Sequence, residues 1–392
     1  MRTFLFSLLL LSISLHAQTL SQIIELSLSK SPSLESINAR LQANKYALDI
    51  ADQFKNPELL ITKNSLNSSE KMSQSVATIK QQIPFYGKRD SKEKIVLAQD
   101  ALLEEQLNDA KVTLVERIKN EAYTIWELQE LDNIIEQYIQ LTKQNVELYE
   151  TYTSIDDNQH MGIMKAELSL SDLKIQRSAL KAKILTAYAR LSYLSATTVK
   201  NLDITLEMGE KPENLQTSLL LQNNPKLLIK AKEIQKQNAK VALADLESYP
   251  DINLMGSYAY RENYENYFTL GIGISLPIYG TEDTQMQEQK ALKLSTQAQQ
   301  ADTKIALDAE LSVYTAQMLS SYEIYHIVQD EALPQVAHMF ELSSSSISTG
   351  GDLFKYIDVL FQKLSLEKKS IIALGNYKRS QAKIAQLSGA LQ

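Results

Sequence analysis

Cysteine is absent from all 392 residues, which excludes a disulfide framework, a thiolate metal site and a lipid-bearing N-terminal cysteine. Histidine is scarce: His16, His160, His326 and His338 form no close ligand spacing, so no metal or cofactor is expected. After the first 17 residues no run approaches the roughly 20 apolar residues of a transmembrane helix. Basic blocks are missing too. The formal net charge is −7, a poor match to nucleic acid. There is no Gly-rich phosphate loop, no Ser/His/Asp order with supporting context and no liganding cluster. No catalytic residue is therefore named, and an enzyme is the least favoured class. The mean hydropathy of −0.23 reads as soluble, yet alternating barrel strands also keep average hydropathy low.

Within Met1–Ala17 the only formal charge is Arg2, followed by the apolar run Phe4–Leu11 and the ending Leu15-His16-Ala17. A basic start, a short apolar stretch and a small residue at the cut mark residues 1–17 as a secretory signal peptide. The mature chain is expected to be exported.

Proline and glycine are few, eight and 11, but they are patterned. Pro32, Pro57 and Pro84 recur at one constant interval as Pro225, Pro250 and Pro277. Neighbours agree: Ile83-Pro84-Phe85-Tyr86-Gly87 answers Leu276-Pro277-Ile278-Tyr279-Gly280. Proline fixes φ and cannot donate, so it marks where elements begin and end. Two tandem repeats follow, 18–196 and 214–392, joined by a linker at 197–213.

Lys88–Met161 holds neither Gly nor Pro and is rich in strong helix formers, which predicts a long helix over 88–153. Apolar residues recur every three or four positions, at Leu107, Ala110, Leu114, Ile118, Ile125, Leu128, Leu131, Ile135 and Tyr138. That is a coiled-coil-like seam. Some 65 helical residues reach roughly 95–100 Å. A second long helix is expected over 281–342, with a kink at Pro334. Polar breaks at Ser154–Gly162 and Ser343–Gly351 precede return helices at 163–194 and 353–387. Shorter helices, Leu20–Phe54 and Asn214–Ser248, open the repeats.

Pro250–Pro277 alternates with period two: Ile252, Leu254, Gly256, Tyr258, Tyr260, then Phe268, Leu270, Ile272, Ile274, Leu276. This predicts a β-hairpin at 250–277. Its counterpart at 57–84 alternates more weakly. Four strands cannot close a transmembrane barrel, which needs about eight, and open edges in lipid are prohibitive. If the hairpins enter a membrane, several chains must pool strands; three would supply twelve.

The element order and the motifs Asn56-Pro57, Gln81-Gln82-Ile83-Pro84-Phe85-Tyr86-Gly87-Lys88-Arg89 and Ser275-Leu276-Pro277-Ile278-Tyr279-Gly280 resemble the TolC-like outer membrane efflux proteins. The Gly87-Lys88-Arg89 ending resembles their heavy-metal branch, the CzcC and CusC type. The resemblance implies a mainly α protein with a small β part. It would form a homotrimer with a 12-stranded outer-membrane β-barrel continuous with a periplasmic α-helical barrel, in a Gram-negative bacterium. It further implies an exit duct for small substrates, with metal cations a candidate cargo. The partners implied are outer-membrane lipid, a periplasmic adaptor (membrane fusion protein) and an inner-membrane pump of the resistance-nodulation-division type. A secreted coiled-coil scaffold, or an adaptor without a pore of its own, is the alternative.

Under that resemblance Asp156, Asp157 and Asp352 are gate candidates at the periplasmic aperture, and Gly162, Ile163, Gly350 and Gly351 adaptor-contact candidates at the tips. Pro57, Pro84, Gly87, Pro250, Pro277 and Gly280 mark the barrel–helix junctions. Tyr258, Tyr260, Tyr264, Tyr267 and Phe268 are candidates for an interfacial aromatic girdle. Phe85-Tyr86 and Ile278-Tyr279 read as corner packing, and Lys88 and Arg89 as solvated helix-start residues.

Overall fold

The computed structural model describes residues 18–65, 70, 72–152, 157–212, 220–347 and 353–391. The signal segment 1–17 lies outside them. The elements in chain order are β1 (Gln18–Thr19), α1 (Leu20–Lys30), α2 (Pro32–Ala51), β2 (Glu58–Lys63), β3 (Gln74–Ile83), α3 (Lys88–Tyr152), α4 (Asp157–Ser195), β4 (Leu202–Asp203), α5 (Pro225–Glu247), β5 (Ile252–Arg261), β6 (Tyr267–Ile274), α6 (Thr281–His326), a π-helical turn (Ile327–Ala332), α7 (Leu333–Ile347) and α8 (Leu353–Leu387).

The chain divides into two compact units. One holds 33–110 and 221–308 and carries the strand pairs. Its sheet is antiparallel in the order β2-β3-β5-β6, so β3 and β5 join the two hairpins and β2 and β6 are the outer strands. Matching elements begin at the interval of the proline pairs: α2 and α5 at Pro32 and Pro225, β3 and β6 at Gln74 and Tyr267, α3 and α6 at Lys88 and Thr281. A hydrogen bond recurs at the same interval. Asn44 Nδ2 donates to the Val96 carbonyl at 3.0 Å, and Gln237 Nε2 to the Gln289 carbonyl at 3.1 Å.

The other unit holds the described residues up to 32, with 111–220 and 309–392. Here the predicted seam becomes core. Leu114, Ile118, Ile125, Leu128, Leu131, Ile135 and Tyr138 are buried, joined by Val115, Ala122 and Ile139. They share the interior with Leu173 and Leu191 of α4 and with Leu353, Tyr356, Ile357 and Leu360 of α8. Two-residue strands β1 and β4 pair in parallel, Gln18 with Leu202. That strand pair was not legible in the sequence. The linker is also tied down, because Tyr377 Oη donates to the Glu210 carbonyl at 2.9 Å.

Three expectations are corrected. The opening helix expected over Leu20–Phe54 is two helices, split at Ser31 because Pro32 has no N–H to continue α1 but suits the first turn of α2. Asn224 caps α5 likewise, its Oδ1 accepting from the Lys226 and Leu227 amides ahead of Pro225. Pro334 does not simply kink the second long helix. The turn Ile327–Ala332 before it is π-helical, with the Leu333 amide bonded to the Val328 carbonyl. Widening the turn accommodates a residue that lacks the N–H of the α-helical ladder. Finally, the return helix begins at Asp157 and not at 163, so Gly162 lies inside α4 and not in a break.

Candidate functional site

The sheet has two unlike faces. Residues paired across the ladders share a face, which groups Leu59-Ile79-Gly256-Leu270 and Ile61-Ala77-Tyr258-Phe268, with Ile83-Ile252-Ile274 at one end. The opposite face carries Leu60-Thr78-Ser257-Thr269, Glu58-Lys80-Met255-Gly271 and Gln82-Asn253-Gly273. The Thr78 and Ser257 hydroxyls hydrogen-bond at 2.9 Å. One face is thus aliphatic and aromatic, the other largely hydroxyl, amide and charge.

The apolar face is exposed. Phe268 is 81% exposed, Leu270 90% and Ile272 73%. In water a sheet turns such a face toward a core, and contiguous apolar patches beyond a few hundred Å² mark an interaction or membrane surface. No described helix is long and apolar enough to cross a membrane.

At the end of the sheet where the chain turns into α3, a polar knot forms. Lys88 Nζ lies 2.7 Å from Asp251 Oδ1 and donates to the Tyr249 carbonyl at 2.7 Å. Asp251 also accepts from the Phe85 amide and from Gln82 Nε2, both at 2.9 Å. The Phe85 and Tyr249 rings stack 4.6 Å apart. Burial pushes the Asp251 carboxyl up, but the hydrogen bonds from Lys88, Phe85 and Gln82 outweigh it and hold the group below the usual carboxylate range. Lys88 is therefore buried and paired, not a solvated helix start, and Asp251 is a residue that sequence reasoning missed. Arg89 is held as well, with the Asp52 carboxylate at 3.5 Å and the Phe54 ring at 4.3 Å.

The junction residues bracket this corner. Pro57 and Pro250 precede β2 and β5, and Pro84 and Pro277 follow β3 and β6. Gly87 and Gly280 have φ of +87° and +71° just before α3 and α6, a conformation that costs any side-chain-bearing residue about 1–2 kcal/mol. Phe85 packs at the corner, but Tyr86 and Tyr279 do not: each is 89% exposed. The five aromatic candidates do not form one belt. Tyr258, Tyr260 and Phe268 stand on the apolar face, whereas Tyr267 pairs with Ala259 on the other. Tyr264 lies in the connecting loop, where the Arg261 guanidinium sits about 5 Å from both the Tyr264 and Tyr267 rings.

In the helical unit, Asp156, Asp352, Gly350 and Gly351 lie outside the described residues, and of Asp157 only its place at the start of α4 is described. Gly162 touches α8: a Cβ there would stand 3.0 Å from Leu353 Cβ. One turn on, Lys165 Nζ meets Asp358 Oδ1 at 2.5 Å and lies over the Phe354 ring. Further along, Lys368 donates to Gln176 Oε1 at 2.9 Å. A polar groove of about 710 Å³ includes Glu116, Tyr314, Arg379 and Lys383, but its cations are paired, Arg379 with Glu127 and Lys383 with Glu310. Among the described residues no group of three or more His, Asp or Glu is placed to hold a metal ion.

The fold is that of the TolC-like channels. The open-state MtrE channel of Neisseria gonorrhoeae superposes with a TM-score of 0.82 at 13% identity, over 95% of this chain and 89% of that one. VceC of Vibrio cholerae gives 0.78 at 15%, over 95% and 96%, and CusC 0.80 at 12%, over 95% and 92%. Residues 217–390 match the family model described as outer membrane efflux protein. No curated protein sequence matches it.

Proposed function

We propose that three copies of this chain form the outer-membrane exit duct of a tripartite efflux pump in a Gram-negative bacterium. Four strands from each copy make a 12-stranded barrel, and the long helices continue it through the periplasm as an α-helical barrel. The observation that carries the reading is the sheet: an exposed apolar face suited to lipid, a polar face suited to a water-filled lumen, and two outer strands. In lipid those strands need partners, because each unpaired backbone group costs several kcal/mol there. Three copies satisfy them by closing a ring.

The two tandem repeats of each copy would give the duct pseudo-sixfold order. The duct does no chemistry; an inner-membrane pump of the resistance-nodulation-division type supplies the energy, and a periplasmic adaptor meets the helix tips around Gly162, Ile163, Gly350 and Gly351. Asp156, Asp157 and Asp352, repeated threefold at the aperture, favour cations and repel one another as it narrows. Reconstitution into planar bilayers tests the reading. Discrete conductance from a purified trimer, altered when the three Asp become Asn, supports both the duct and its gate. A chain recovered only as a soluble monomer without conductance sinks the duct itself.

A further inference from the structure

The polar groove of the helical unit has no task in an exit duct. It lies within one unit of the chain, between α3, α6 and α8, and has a volume of about 710 Å³, the size of a small-molecule site. Such sites are mostly apolar, and this one is not. Asn120 of α3, Gln317 and Ser321 of α6 and Ser380 of α8 all line it. Among the described residues none of these four side chains has a hydrogen-bond partner.

The two serines carry the argument furthest. Ser321 and Ser380 are only 6% and 4% exposed. Buried hydroxyls are nearly always hydrogen-bonded, in helices commonly to the carbonyl one turn back. Ser27, Ser171 and Thr186 of this chain do so. Ser321 and Ser380 do not, and their hydroxyls are left to the groove.

The charges of the groove narrow the ligand. Arg379 is paired with Glu127 and also donates to Asn376 Oδ1, and Lys383 is paired with Glu310. With both charges met, an anion gains little. Guanidinium and ammonium groups still carry several donors each, so some remain for a neutral oxygen. Glu116 lines the groove as well. Burial pushes its carboxyl up, against the pull of Lys383 and Arg117, which makes it a poor counter-ion for a cationic ligand. An apolar ligand would strip water from the amides and hydroxyls and replace none of its hydrogen bonds. A neutral molecule dense in groups that both donate and accept is what fits.

We propose that this groove binds a neutral saccharide. Sugar hydroxyls each donate and accept, so they satisfy Ser321 and Ser380 whichever way those hydroxyls turn. The Asn120 and Gln317 amides, each with a carbonyl and an NH2 side by side, take adjacent hydroxyls of one ring. Tyr314, whose ring lies 5.8 Å from Lys383 Nζ, offers a flat surface to the C–H face of a sugar. The site belongs to a single copy of the chain and does not rest on the trimer.

The purified full-length chain in a detergent without a sugar headgroup tests this. Maltose and N,N′-diacetylchitobiose serve as neutral probes, glucuronate and tetramethylammonium as charged ones. Saturation-transfer NMR should show contact with at least one of the two disaccharides, and titration calorimetry a saturable site. Ser321→Ala/Ser380→Ala should weaken that binding about tenfold, since each lost hydrogen bond costs several-fold. Neither change adds bulk or breaks a bond within the protein, so the fold is kept. Ser320→Phe, at an exposed position of the lining, should block the groove without entering the core. No saturable binding of either disaccharide overturns the proposal, as does binding undiminished in both variants or tighter binding of a charged probe. A free sugar and a glycan chain share this chemistry. Co-sedimentation with insoluble chitin or amylose, lost in the double variant, assigns the groove to a glycan; binding of the disaccharide alone assigns it to a free sugar.

Discussion

Lys88 and Asp251 stand 163 positions apart in sequence and meet at 2.7 Å, with side chains only 8% and 19% exposed. The pair fastens the first turn of α3 to the entry of β5, where a hairpin of one half meets the start of the hairpin in the other. Removing one partner of a buried pair leaves the other uncompensated, at a cost of about 3 kcal/mol or more, whereas replacing both with apolar groups is often near neutral. Asp251→Asn or Lys88→Met alone should lower the thermal dissociation temperature of the proposed trimer markedly, and Lys88→Met/Asp251→Leu should recover much of the loss. Heat-modifiable mobility on gels reads this directly. Equal losses in single and double variants would show that the ion pair itself is not the fastening.

The same pair sets an acid dependence. The folded-state Asp251 carboxyl is held below its usual value, so the stability it confers is present at neutral pH. That stability is lost as pH falls from the ordinary carboxylate range, about 4, through the lowered value. The wild-type dissociation temperature should fall over that interval by more than that of Asp251→Asn. Parallel pH profiles for the two proteins would contradict the assignment.

Much of this architecture was legible because it rests on punctuation and periodicity. The break-free run after Lys88 became a helix ending at Tyr152, one residue from expectation, and α8 spans Leu353–Leu387 as read. What escaped is what depends on tertiary partners. Lys88 looks like any basic residue at a helix start until the fold brings Asp251 beside it. Tyr267 looked like one of five aromatics in a cluster, but strand alternation turns it away from Phe268, and the register turns it away from Tyr258. Gly162 read as a turn former because glycine breaks helices on average. Its neighbour Leu353, from the far end of the chain, supplies a different reason for its size.

That neighbour makes Gly162 a spacing residue. Its missing Cβ lets α4 approach the start of α8, where the nearest atom is Leu353 Cβ at 3.0 Å. Because that atom adjoins the backbone and cannot swing aside, a branched side chain must push the helices apart. Gly162→Val is expected to destabilise this contact by about 1–3 kcal/mol, despite losing a helix-breaking residue. Faster amide exchange at the start of α8 would report it. Unchanged exchange would show that the helices can absorb the extra volume.

Tyr86 and Tyr279, each between an apolar residue and a positive-φ glycine and each 89% exposed, occupy the turns from sheet to long helix. Amphipathic rings at such a boundary settle at the lipid headgroup level. The chain has a single tryptophan, Trp126, so Trp126→Phe with Tyr86→Trp gives a one-probe reporter. In vesicles its emission should shift to the blue of that in detergent-free buffer and be quenched by lipids brominated high on the acyl chain. Emission unaffected by brominated lipid would place the corner outside the bilayer interface.

Lys165 and Asp358, 2.5 Å apart on α4 and α8, join the two return helices within a few turns of their starts. The carboxylate is 52% exposed, and exposed pairs contribute at most about 1 kcal/mol. That is too little to hold the helices together and enough to bias a poised equilibrium about fivefold. If the helix starts move when the duct opens, Lys165→Ala and Asp358→Ala should each raise the open fraction in single-channel records by no more than that factor. The double variant should add little to either single change, because both remove the same bond. High salt should diminish the wild-type bias toward the variants' level, since an exposed pair is screened. Additive effects in the double variant would assign each side chain a separate role.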